Sequence, residues 1–210
     1  PFAHLEPGQV AQALVIAPAS AATIARLAQG QADELLACQA LAFRGKLVIA
    51  PAMNPAMWSH PATQANIATL RERGCAVVEP GCGRTACGEE GQGRLADLRE
   101  IYLAGLRALA PQDMEGIRVM VTLGPTREHW DGLRFWTNPS TGTMGAAVAV
   151  AAWLRGARVE AVCGPGTPWL PAGIARHNVG SARHMLEAAA SVWPQCDAGV
   201  FTAAVADFSP

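Results

Sequence analysis

Two short apolar runs, ALVIAP from Ala13 and KLVIAP from Lys46, are each followed by a helical stretch, and this alternation constrains the fold more than any other feature. Leu14 to Ala17 and Leu47 to Ala50 are apolar at every position rather than at alternate ones. A strand with one wet face alternates, whereas a strand covered on both faces need not, and such coverage belongs to parallel sheets with crossover helices. The helical stretches run from Ser20 to Phe43 and from Pro61 to Arg73, and a third run, CAVVEP, starts at Cys75. The first half of the chain is therefore expected to be α/β.

A further helical stretch, Asp97 to Leu109, leads into Ala110-Pro111-Gln112-Asp113, and a fresh strand, IRVMVTL, begins at Ile117. This places a domain boundary after Asp113, giving domains 1–113 and 114–210. The second domain repeats the grammar: a long loop rich in Pro, Gly and Asn, a helix from about Thr143 to Arg155, the strand RVEAVCG, a helix from about Ser181 to Val192 and the strand AGVFTAAVAD. The expected fold class is α/β, two Rossmann-like units with parallel sheets. Ligands in such sheets sit beyond the carboxyl ends of the strands, so Pro18–Thr23, Pro51–Trp58, Gly124–Gly145 and Thr202–Asp207 are the candidate site segments.

Half of the residues are hydrophobic and 16% are charged, enough apolar material for a buried core, and the net charge of -1 gives no basic excess for nucleic acid or a membrane surface. Anionic ligands must then be held locally. No apolar run reaches the roughly 18 to 20 residues of a membrane span and no signal peptide is visible, so a soluble, cytoplasmic protein is expected. The six cysteines suit a reducing compartment; Cys75, Cys82 and Cys87 lack the paired C-x-x-C spacing of a zinc site. The chain starts at Pro1 without Met and its last strand runs to Pro210, which reads as an internal piece of a longer protein.

In PAMNPAMW, Pro51 to Trp58, the Asn54 amide can donate to a carboxylate without adding charge, and Met53 and Met57 can line a flat conjugated ring. Core methionines in a turn would read the same way. In GRTACGEEGQGRL, Gly83 to Leu95, Cys87 lies in a glycine-rich loop of the kind that closes over ligands, with Arg94 nearby to hold an anion. A flexible surface loop is the alternative. In GPTREHWDGLRFWTNPSTGTMG, Gly124 to Gly145, glycines at a helix start permit close approach to phosphates and Arg127 and Arg134 can bind phosphate oxygens; tight helix-to-sheet packing would also explain the glycines.

Together, P-x-M-N-x-x-M-W and A-C-G-x-x-G-x-G-R resemble the flavin-dependent cysteine decarboxylase family, and the resemblance extends back through VIAPASAATIARLAQGQADELL to cover roughly residues 2–110. It implies FMN as cofactor, with the flavin oxidising the substrate's thiol carbon so that decarboxylation yields an enethiol that is then reduced. By this resemblance Cys87 is the proton donor, Asn54 binds the cysteinyl carboxylate and His4 is the active-site histidine; beside these, Ser20 and Thr23 are expected to donate hydroxyls to FMN at the helix start, Met53 to line the flavin ring and Arg94 to hold a substrate anion. Ala22 stands where one frequent family form has Asn.

Gly124 to Gly145 and the ending FTAAVADF resemble the phosphopantothenate-cysteine ligase family. That likeness implies CTP with Mg2+ or Mn2+, an acyl cytidylate, and displacement by cysteine. Arg134 and Asn138 match residues that handle the acyl intermediate, and Phe201, Thr202, Ala203 and Asp207 match the CTP site. Thr143 stands where a frequent form has Lys. The order of the two likenesses is that of the bifunctional enzymes of coenzyme A biosynthesis: a flavoprotein domain, then a partial nucleotide-binding ligase domain, together using phosphopantothenate, cysteine, CTP and phosphopantothenoylcysteine in a trimer-based homo-oligomer. A peptide-cysteine decarboxylase would leave the second motif unexplained. A non-enzymatic regulatory or binding protein on the same flavoprotein fold is the alternative, against which Cys87 and Asn54 argue. A dehydrogenase lacks its G-x-G-x-x-G fingerprint.

Overall fold

The computed structural model describes residues 6–84 and 88–208. The chain forms two compact units, Pro1–Leu109 and Ala110–Pro210, and the sequence boundary after Asp113 lies just inside the second.

In the first unit a short helix α1 (Glu6–Val10) precedes β1 (Ala13–Ala19), α2 (Ala21–Gln29), α3 (Leu35–Ala42) and β2 (Lys46–Pro51). The single helical stretch expected over 20–43 is broken at Gly30, which adopts φ 69° and caps α2 through its N–H to Arg26 and Leu27 carbonyls. A left-handed residue ends a helix at little cost only when it lacks a Cβ. After β2 come α4 (Pro55–Ser59), α5 (Pro61–Glu72) and β3 (Ala76–Val77). The three strands form a parallel sheet in the order β1-β2-β3, with Leu14 opposite Leu47 and Ile16 opposite Ile49. An antiparallel hairpin, β4 (Gly81–Arg84) and β5 (Glu90–Arg94), and the helix α6 (Leu98–Leu109) complete the unit.

Ile16, Ile24, Ile49, Trp58, Ile67 and Leu70 make one core, and Ala50, Ala96 and Ile101 make a second. Each fully buried aliphatic side chain contributes roughly 1.5–3 kcal/mol of transfer free energy. β2 is thus covered on both faces as its unbroken apolar run predicts, but the edge strand β1 leaves Val15 42% exposed. Double coverage is complete on β2 and partial on β1.

The second unit contains β6 (Arg118–Leu123), a small hairpin of β7 (Glu128–His129) and β8 (Phe135–Trp136), α7 (Thr143–Leu154), β9 (Arg158–Cys163), β10 (Ala175–Asn178), α8 (Ala182–Val192) and β11 (Ala198–Phe201). Its sheet is parallel throughout, in the order β10-β9-β6-β11. Val119, Val121 and Leu123 pack with Ala146, Ala149 and Ala152 of α7, while Met120 joins Val162, Met185 and Val192 on the other face. Period-2 side chains of one strand thereby feed two cores. The strand expected through Asp207 stops at Phe201, and the chain beyond it keeps one bridge, Pro125 with Ala204. Among the described residues no helix is long and apolar enough to cross a membrane.

Candidate active sites

In the first unit the candidate segments after β1 and β2 are neighbours because their strands pair in parallel; the Ala52 N–H donates to Ala19 O at 3.0 Å. Ser20 is the N-cap of α2: its Oγ accepts from the Thr23 N–H at 3.2 Å and lies 3.0 Å from Thr23 Oγ1. Both hydroxyls therefore sit at the positive end of a helix at the carboxyl edge of the sheet, a donor set suited to an anionic group of a flavin nucleotide. Ala22 is exposed on the same turn.

Asn54 caps α4, its Oδ1 accepting from the Ala56 N–H at 2.8 Å. That bond orients the side chain through its oxygen. Met53 is partly buried against the core of Ile16, Ile49 and Trp58, so most of its thioether serves packing, while Met57 is 49% exposed. The turn is also held from the hairpin: the Met53 N–H donates to Gly93 O at 2.9 Å. Arg94, at the exposed end of β5, lines a cavity of about 560 Å³ with Gly81, Cys82 and Asp97. Asp97 pairs with Arg99, whose side-chain and backbone hydrogen bonds hold its carboxyl down to about 2. Cys87 lies in the connection between β4 and β5 and His4 ahead of α1; both fall outside the described residues.

In the second unit the segments after β6 and β11 meet for the same topological reason, since β6 and β11 pair in parallel. Asn138 Nδ2 donates to Val205 O at 2.9 Å and Ala204 O at 3.4 Å, tying the acyl-site candidate to the nucleotide-site candidates. Thr126, fully buried, is a second tie: its Oγ1 accepts from the Ala206 N–H at 3.0 Å and its carbonyl accepts from Thr137 Oγ1 at 2.6 Å. Glu128, 8% exposed, accepts from the Ala182 N–H at 2.8 Å and so caps α8.

The arginines proposed for phosphate already have partners. Arg134 pairs with Asp131 at 2.6 Å, and its hydrogen bond, with those from the backbone of Leu133 and Arg134, lowers the Asp131 carboxyl. Arg127 lies 4.6 Å over the Phe135 ring. Thr202 donates its hydroxyl to Thr122 O at 2.7 Å, Ala203 packs on the core beneath α8, Phe201 is 69% exposed against Trp193, and Asp207 is exposed. A Cβ on Gly145 would lie 2.3 Å from Thr202 Oγ1 and 2.4 Å from Leu123 Cβ, so this glycine serves helix-on-sheet packing rather than phosphate approach. Thr143, where the departure from the ligase pattern falls, shares a 2.7 Å hydrogen bond with Thr141 at the start of α7. No three metal-ligating side chains gather among the described residues, so these form no cage for a divalent ion.

Sequence reasoning did not single out Thr126 or Glu128, and it marked Gly91 and Gly93 only as positions of a glycine-rich motif, without their contact on the Asn54 turn. Thr126 and Glu128 lie inside the quoted G-P-T-R-E run, but their partners come from residues 182 and 206, which no local spacing reveals.

Residues 1–105 match the family described as Flavoprotein, and residues 114–210 match the DNA/pantothenate metabolism flavoprotein C-terminal domain. The coenzyme A biosynthesis bifunctional protein CoaBC of Mycolicibacterium smegmatis is 44% identical over 213 residues, covering 99% of this chain and 51% of that protein. CoaBC of Bacillus subtilis is 42% identical, covering 100% of this chain and 52% of that protein. The chain spans about half the length of the curated relatives it matches. Among solved structures, the C-terminal domain of a CoaBC is similar at 43% identity and a TM-score of 0.44, covering 46% of this chain and 50% of that one.

Proposed function

Because this chain belongs to the flavoprotein family, we propose that its first unit is the FMN-dependent decarboxylase of 4'-phosphopantothenoylcysteine, forming 4'-phosphopantetheine for coenzyme A. In the same reading the second unit is the beginning of a CTP-dependent phosphopantothenate-cysteine ligase. Identity of 44% to a bifunctional coenzyme A biosynthesis protein supports both halves. The observation that carries the decarboxylase reading is the meeting of the Ser20–Thr23 helix start with the Asn54 turn at adjacent strand ends.

FMN, when bound, supplies a two-electron acceptor that no side chain can replace. Ser20, Thr23 and the first turn of α2 hold its anionic end, and Met53 offers the thioether atoms that its packing leaves accessible to the ring. The Asn54 amide, fixed by its cap bond, donates its NH2 to the substrate carboxylate and holds the group that departs as carbon dioxide. A neutral donor suits this task because a cation would stabilise the carboxylate against leaving. Arg94 binds a substrate anion from the hairpin, and Cys87 supplies the proton when the product is reduced. His4 completes the acid-base set.

In the second unit Asn138 organises the acyl site by gripping the turn at Ala204 and Val205, and Asp207 accepts hydrogen bonds from the nucleotide. Arg134 handles the acyl intermediate by exchanging its Asp131 partner for the ligand's phosphate. The test is the full-length protein and its Cys87→Ala form with phosphopantothenoylcysteine, following carbon dioxide and reduced product. Carbon dioxide from both, with reduced product from the parent alone, is expected. Flavin-loaded parent that releases no carbon dioxide sinks the decarboxylase reading.

A further inference from the structure

β5 is built from residues that offer almost nothing to a sheet: Glu90, Gly91, Gln92, Gly93 and Arg94. Its two glycines face the Asn54 turn. A Cβ on Gly93 would lie 2.3 Å from Met53 O, 3.3 Å from Pro55 N and 3.4 Å from the carbonyl carbon of Asn54 itself. A Cβ on Gly91 would lie 2.9 Å and 3.0 Å from two carbons of the Pro55 ring. Both glycines hold φ near +155°, where side chains are rarely tolerated. The strand therefore lies backbone against backbone on the segment that carries Asn54, and Gly93 O takes the Met53 N–H at 2.9 Å.

The turn is gripped from both sides. From the sheet, Ala19 O holds the Ala52 N–H; from the hairpin, Gly93 O holds the next amide, that of Met53. The following residue is Asn54, whose side chain is aimed by Ala56 of α4. Moving β5 outward by the radius of a methyl group would break the Met53 bond and free the turn on one side.

We propose that Gly91 and Gly93 are positioning residues for the Asn54 amide: their bare Cα atoms let β5 seat on Met53–Pro55, and that seat sets the direction in which Asn54 meets the substrate carboxylate. The assignment rests on the carboxylate-binding reading of Asn54 above. The sequence spacing G-x-G and the P-A-M-N-P turn are thereby two halves of one contact, which gives a physical reason for both to occur in one chain.

The test uses the full-length, flavin-loaded protein with Gly93→Ala, Gly91→Ala, Asn54→Ala and the Asn54→Ala/Gly93→Ala double variant. Gly93→Ala should retain flavin absorbance and a cooperative melt, lose exchange protection at the Met53 and Ala56 amides, and bind phosphopantothenoylcysteine on the order of ten-fold more weakly. Gly91→Ala, whose contact is with a ring edge, should show the same pattern more weakly and carries the test if Gly93→Ala does not fold. The double variant should bind within about two-fold of Asn54→Ala alone, because the seat acts through Asn54. Unchanged Met53 exchange in a folded Gly93→Ala protein, or losses that multiply in the double variant, overturn the proposal. Normal binding by Asn54→Ala would instead remove the carboxylate reading, with Met53 and Ala56 exchange still deciding whether the glycines seat the turn.

Discussion

The two units place their candidate sites alike, beyond the carboxyl ends of adjacent parallel strands, and both use main-chain bonds there, the Thr202 and Ala204 amides donating to Thr122 and Gly124 carbonyls in the second, but they differ in what is added to those bonds. In the first, glycines bring one backbone onto another, and Met53 and Gly93 share a main-chain hydrogen bond. In the second, side chains reach across: Asn138 to Ala204 and Val205, Thr126 to Ala206, Glu128 to Ala182. A site held by close approach is broken by adding atoms. A site held by side-chain bonds is broken by removing them.

The sharpest break of that contrast is Asn138→Ala, which strips both donors from the turn after β11. On the proposed ligase reading, ligation by the full-length protein should fall by about 100-fold, or roughly 2.7 kcal/mol, with decarboxylation of added phosphopantothenoylcysteine unchanged. Equal loss of both activities would show that the variant disturbs more than the second site. Thr126→Val keeps the shape of a fully buried side chain but leaves the Ala206 N–H without its acceptor, so it should cost about 1–3 kcal/mol. Denaturant titration of the second unit reads this directly, and a cost near zero would mean that the turn is held by other bonds.

The smallest effect concerns Asp97, which accepts from the Arg99 amide at 2.8 Å at the start of α6. Its folded carboxyl lies at about 2, below its ordinary 3.8, so its contribution is present above the ordinary value and is lost as pH falls through about 2. Asn can cap a helix almost as well as Asp. Asp97→Asn should therefore lower the melting temperature slightly at pH 7, and the gap should narrow steadily as the pH is taken below 4; a gap that widens in acid would contradict the assignment.

How much was legible can be judged from particular segments. Continuous apolar runs at 14–17 and 47–50 announced parallel strands, and burial on both faces followed for β2 but not for β1, where Val15 and Ala17 are exposed because, among the described residues, no further strand or helix covers that edge fully. β10, with the sequence ARHN, carries no apolar signal and exists because Ala175 to Asn178 find backbone partners on β9. β4 and β5 carry no apolar run either, being glycine, charge, amide and Cys82, so their stretch read as a glycine-rich loop and not as a hairpin. The motifs marked the Asn54 turn and the Gly124–Gly145 loop. They did not show that Arg134 is held by Asp131 or that Thr202 spends its hydroxyl on Thr122, and they left open whether Gly145 serves phosphate approach or helix-to-sheet packing, which its contacts decide for packing.

By itself the sequence determined the α/β class and the two-part organisation, and it marked the candidate segments that the strand ends bring together. Periodicity, turn residues and motif spacing are local properties, and local energetics suffice to set them. Only the tertiary structure decided which backbone may approach which, and which donor meets which acceptor. Those choices bring together residues as far apart as Thr126 and Ala206, whose separation along the chain hides a 3.0 Å bond. Such contacts are rewarded only once the sheet has formed, so no window of neighbouring residues encodes them.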